Sequence, residues 1–186
     1  MFRGEKQQGF TLIELMVALA IAIIVIALST PISNVFKQNR VTSIEHEFVT
    51  SLNLARSAAV STATTVSVCR RDPNNANTCL AAGAGNTRWE QGWIVFNDPN
   101  ADGIIDPGEV ILQQHGGLQA GYTLGEIQRN VITYNASGLT PTSAGTWSLC
   151  DPAQDTTFQR AISLSVTGRV TLLTPAEIAN QGIVCL

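Results

Sequence analysis

An α+β fold is predicted, with one long N-terminal helix packed on an antiparallel β-sheet head. Three observations predict it. An apolar run near the N-terminus passes into a helical stripe. Short strand-like runs punctuated by Gly, Pro, Asn and Asp fill the remainder. No helical pattern between those runs is available to make parallel crossovers, which leaves hairpins.

The helix comes first. Phe10 to Leu28 is apolar apart from Glu14, and at about 1.5 Å per residue it spans roughly 28 Å, close to the hydrocarbon thickness of a bilayer. Arg3 and Lys6 precede it and favour the cytoplasmic side, placing everything after Leu28 outside. Pro31 is expected to kink the helix at most, because Ile32, Phe36, Val41, Ile44, Phe48, Leu52, Ala55 and Ala59 continue at spacings near three and four. One helix from Phe10 to about Val60 follows, apolar all round at first and amphipathic later. Its second half needs a sheet to cover its stripe.

Glu14 is the exception that needs a reason, since a carboxylate in hydrocarbon costs a few kcal/mol. The segment "GFTLIELMVALAI", Gly9 to Ile21, resembles the leader junction of type IV pilins and type II secretion pseudopilins. The resemblance implies that a prepilin peptidase cuts between Gly9 and Phe10 and methylates the new amino group of Phe10. It implies a single-pass inner-membrane anchor that later joins a filament core, with other major and minor pilins or pseudopilins as partners. In a helix starting at Phe10, Glu14 lies one turn from the positive end, where a carboxylate is favoured. Paired with the α-amino group of a neighbouring Phe10, it would set the register between subunits. The chain then divides into a leader (1–9), a membrane and filament-core helix (10–30), an amphipathic helix (31–61) and a β-rich head (62–186).

Strand-like runs in the head are Thr64–Cys69, Gly92–Phe96, Glu109–Gln114, Asn130–Ala136, Thr146–Cys150, Ala161–Val166 and Arg169–Leu173. Charged residues make up only 13%, about half the usual share, and the net charge of −3 offers no global attraction to nucleic acid. The four cysteines form no CxxC pair, which suits disulfides in an oxidising compartment better than zinc. Three pairings are possible. Cys69–Cys79, closing a polar loop, and Cys150–Cys185, tying down the tail, are the favoured ones. "GWIVFNDPNADGIIDPGEVIL" (Gly92 to Leu112) and "SLSVTGRVTL" near the end resemble the GspH/FimT (FimU-like) minor pseudopilins, implying a type IV pilin-like fold, a periplasmic head and a place near the filament tip.

Two features point to ligands. Asp98 to Glu109, "DPNADGIIDPGE", fits the twelve-residue calcium loop, with Asp98, Asn100, Asp102, the Ile104 backbone, Asp106 and Glu109 as oxygen donors and Gly103 at the turn. Strands rather than helices flank it, so a hairpin built from Asx-turns explains the same residues. Some FimT-type members contact DNA through Gly-Arg-x-Arg. Here Gly168-Arg169-Val170-Thr171 keeps one arginine, and Arg160 is expected across the turn from it. Removing the leader leaves a net charge of −4, which opposes DNA binding.

No catalytic constellation stands out. His46 and His115 have no evident nucleophile beside them. Trp89, Trp93 and Trp147 read as core. Apart from calcium no cofactor is indicated, and a non-enzymatic assembly subunit is expected.

Overall fold

The computed structural model describes residues 10–80, 88–126 and 129–185, with the side chains of 27–33 also outside the description. The expected leader, Gly9 included, lies outside the described residues. Two compact units are present, one ending at Gln38 and the other running from Asn39 to the C-terminus. Helix α1, Leu12–Thr62, runs through both.

In the first unit every described side chain from Phe10 to Ile26 is exposed. The expected membrane segment continues to Leu28, beyond the described side chains. Among the described residues no helix is long and apolar enough to cross a membrane. Phe36, expected on the stripe, is also exposed.

The second unit is built on the amphipathic half of α1. Val41, Ile44, Phe48, Leu52, Ala55 and Ala59 are fully buried. They pack against two antiparallel sheets rather than one. The first is ordered β3-β2-β1-β5, from Ile111–His115, Trp93–Asn97, Val66–Arg70 and Val131–Tyr134. The second is ordered β4-β6-β7-β8, from Thr123–Gly125, Gly145–Cys150, Arg160–Leu164 and Val170–Leu173. A short helix α2, Pro175–Asn180, follows.

Alternation in the first sheet assigns its faces. Val66, Val68, Trp93, Val95, Ile132 and Tyr134 turn into the main core with the α1 stripe. Cys69, Ile94 and Phe96 turn the other way and form a second, smaller cluster covered by Cys79, Ile105, Ile111 and Val131. The three tryptophans are buried. Phe48 lies at their centre, with ring centroids 5.5, 5.1 and 5.9 Å from Trp89, Trp93 and Trp147. Such aromatic contacts add about 1 kcal/mol each beyond the area they bury. The unit from Asn39 onward therefore carries its own core, including the helix stripe, and should fold without the first.

The disulfides are Cys69–Cys79 and Cys150–Cys185. The first pins the 71–79 loop over the smaller cluster, and the second anchors the tail behind α2. Replacing Cys69 and Cys79 together by Ser is expected to cost about 3 kcal/mol through the entropy of the opened loop. Urea unfolding of the oxidised head measures this, and an unchanged midpoint would refute it.

Candidate functional site

At the start of α1, the Thr11 hydroxyl accepts a hydrogen bond from the Glu14 backbone N–H at 3.3 Å. Thr11-Leu12-Ile13-Glu14 has the spacing of a capping box, a sequence signal available from the Ser/Thr-x-x-Glu pattern alone. Glu14 is exposed, as is Phe10. The helix therefore holds its own first turn together while presenting a carboxylate and an unburied apolar surface outward.

In the head, two carboxylates two residues apart on α1 reach different sheets. Glu47 Oε2 lies 2.8 Å from His115 Nε2 on β3, and Ser43 donates to Glu47 Oε1 at 2.8 Å. The His115 ring stacks on Trp93 at 3.9 Å. Glu45 Oε2 lies 3.6 Å from Arg160 Nε on β7. Burial pushes the Glu45 carboxyl above its ordinary value, with Arg160 and His46 opposing it. Burial also pushes Glu47 up, but hydrogen bonds from Ser43 and His115 and the charges of His115 and Arg40 outweigh it, holding the carboxyl below 4.5. A lowered carboxyl stabilises the fold above its unfolded value and loses that contribution as pH falls through the folded one. Melting temperature should therefore fall on acidification below about pH 4.5, and less steeply in Glu47→Gln. Parallel melting curves for the two proteins would count against the clamp. His46 is exposed.

Arg160 and Arg169 are not brought together. The hairpin register pairs Leu164 with Val170 and Ala161 with Leu173. Arg169 therefore sits at the turn while Arg160 lies at the far end of β7, about 17 Å of strand away. The expected pair is corrected on that ground, and Arg160 is held by Glu45. Arg169 is exposed. Gly168, at φ +73°, serves a close approach: a Cβ there would stand 2.0 Å from the Gly138 carbonyl oxygen.

The acidic loop is built around Asp98, which is fully buried. Its Oδ2 accepts from the Ser67 hydroxyl at 2.6 Å and the Gly103 N–H at 3.0 Å, and its Oδ1 accepts from the Asp102 N–H at 3.1 Å. Asn100 Nδ2 donates to Asp102 Oδ2 and Asp106 Oδ2 at 2.9 and 3.0 Å. Glu109 Oε2 accepts from the Asp106 N–H at 3.0 Å. The Ile104 N–H donates to Asp102 Oδ1 at 2.8 Å. An amide donor thus stands between two carboxylates where a calcium loop would present oxygens to the ion. No group of three His, Cys, Asp or Glu side chains is placed to hold a metal among the described residues.

A helix whose first turns are apolar and uncovered, leading into a disulfide-bridged β-rich head, defines the class of pilin-like filament subunits. Residues 46–168 match the family described as Type II transport protein GspH, and residues 5–30 match the prokaryotic N-terminal methylation motif. The chain belongs to the GspH family of minor pilins and pseudopilins. Among solved structures, it is similar to the type IV minor pilin FimU of Pseudomonas aeruginosa, at 25% identity and TM-score 0.56, over 74% of this chain and 91% of that one. The minor pseudopilin EpsH of the Vibrio cholerae type 2 secretion system shares the fold at 15% identity and TM-score 0.51, over 74% of this chain and 99% of that one. No curated protein matches in sequence.

Proposed function

We propose that the chain is cut between Gly9 and Phe10 by a prepilin peptidase, methylated on Phe10, and built into a type IV pilus as a minor, initiating subunit near the tip. It would wait in the inner membrane as a single-pass protein with its head in the periplasm. The observation that carries this reading is the uncovered apolar helix start with Glu14 one turn in. Such a surface needs lipid first and neighbouring helices afterwards. A carboxylate in that setting gains only if a cation meets it, and the α-amino group of an adjacent Phe10 supplies one. The similarity to FimU, at 25% identity against 15% for EpsH, supports a pilus over a secretion pseudopilus.

The test is Glu14→Ala in cells. Mature, membrane-inserted protein should persist while its recovery in sheared filaments falls at least tenfold. Normal incorporation would show that Glu14 does not set the register between subunits, whereas absence of the wild-type chain from sheared filaments would identify a periplasmic domain on a signal anchor. Gly9→Val separately tests processing: the longer precursor should accumulate.

A second reading, capture of DNA by the head, is supported by the exposure of Arg169 at the β7–β8 turn. It predicts duplex binding that falls steeply with salt and weakens in Arg169→Ala.

A further inference from the structure

Charge is segregated along the head. From 89 to 126 the chain holds six carboxylates and no lysine or arginine, whereas 48–71, 129–150 and 156–176 hold arginines and no carboxylate. Parts of those three segments converge near the C-terminal end of α1. Beyond the Gly168–Gly138 approach, a Cβ on Gly138 would stand 2.9 Å from Val60 Cγ2. Arg56 Nη2 donates to the Thr167 carbonyl at 3.0 Å. Neither Arg56 nor Arg169 has an ion-pair partner among the described carboxylates. Val60, Leu139 and Val166 lie by the Gly138–Gly168 junction, 53%, 40% and 56% exposed.

We propose that this face docks the 98–109 turn of a second copy of the chain. That turn carries the complement: Asp102, Asp106 and Glu109 beside Ile104 and Val110, which are 58% and 56% exposed. Guanidinium groups alone would suit phosphates equally well. The uncovered valines and leucine do not, because a sugar-phosphate backbone offers them little, whereas an isoleucine-tipped acidic turn satisfies both. A contact of this size is weak in solution. In a filament it would be strengthened by effective concentrations on the order of millimolar.

The inference takes its setting from the filament reading but is tested without it, since the soluble head, residues 39–186, lacks Glu14. Sedimentation equilibrium of that head at about 1 mM, a concentration chosen to match a tethered neighbour, should show association at low salt. The association constant should fall at least tenfold at moderate salt or in Arg169→Glu, and recover when Arg169→Glu is mixed with Asp106→Arg. Circular dichroism checks that each variant is folded. A wild-type head that stays monomeric at low salt overturns the proposal. So does a monomeric head that binds duplex DNA through Arg169, which assigns the face to phosphate instead. Either failure leaves the role of Glu14 untouched.

Discussion

Gly92→Ala is expected to destabilise the head by about 4 kcal/mol, the combined effect of positive-φ strain and overpacking. Gly92 sits at φ +94°, and a Cβ there would stand 2.1 Å from the His115 carbonyl oxygen and 2.7 Å from that of Gly116. Both obstacles are backbone, so no side-chain rotamer relieves them. The flanking contacts resist movement too: the Gly92 N–H donates to Trp89 O at 3.0 Å, and its carbonyl accepts from the Arg71 N–H at 3.0 Å. Shifting β3 outward would also separate His115 from Trp93 and Glu47. Gly108 supplies the control. It has a similar φ of +102° but nothing within 4 Å of a built Cβ, so Gly108→Ala carries strain alone. That variant should lose about 1 kcal/mol. For a domain of this size the larger loss lowers the melting temperature on the order of 10 °C. Equal melting temperatures for the two variants would show that close packing at Gly92 is irrelevant.

The contrast explains which parts of the fold were legible in the sequence. Helix α1 was legible because six positions from Val41 to Ala59 repeat at helical spacing and all six are buried. Seven strand runs were legible from β-branched residues between turn residues, but alternation names the faces of a strand, not its partner. Two sheets were therefore read as one. Strand β4 was missed because three residues carry no period. It is defined by pairing with β6 and by the Trp89 N–H, which donates to the Leu124 carbonyl. Helix α2 was missed although Thr174-Pro175-Ala176-Glu177 spells its cap: Thr174 and Glu177 make a reciprocal capping box with Pro at the start. For the site, the Gly-Phe-x-x-x-Glu pattern pointed directly to the N-terminal methylation motif that residues 5–30 match, because that signal is local in sequence. The arginines are different. Arg56 and Arg169 are 113 positions apart in the numbering, and only the Gly138–Gly168 approach makes them neighbours.

The acidic loop shows the same division between residue type and residue direction. Its twelve positions match a calcium loop, yet Asp98 is spent on three donors of its own chain, and Ile105 turns in to cover the smaller core. Asp98→Ala should leave the Ser67 hydroxyl and the Asp102 and Gly103 amides without their acceptor. Loss of three charge-assisted bonds in a buried place is expected to cost about 4 kcal/mol, short of full additivity because water enters the gap. Asp98→Asn keeps the shape but turns one arm into a donor facing N–H or O–H groups, so it should recover only part of that loss. The decisive measurement is the melting temperature of wild type and Asp98→Ala with chelator and with millimolar calcium. If the loop is held by its own hydrogen bonds, the difference between the proteins is the same in both solutions. If calcium instead raises the wild-type melting temperature and leaves Asp98→Ala unmoved, the loop is a metal site. The Asn100 amide would then have to turn over to present its oxygen.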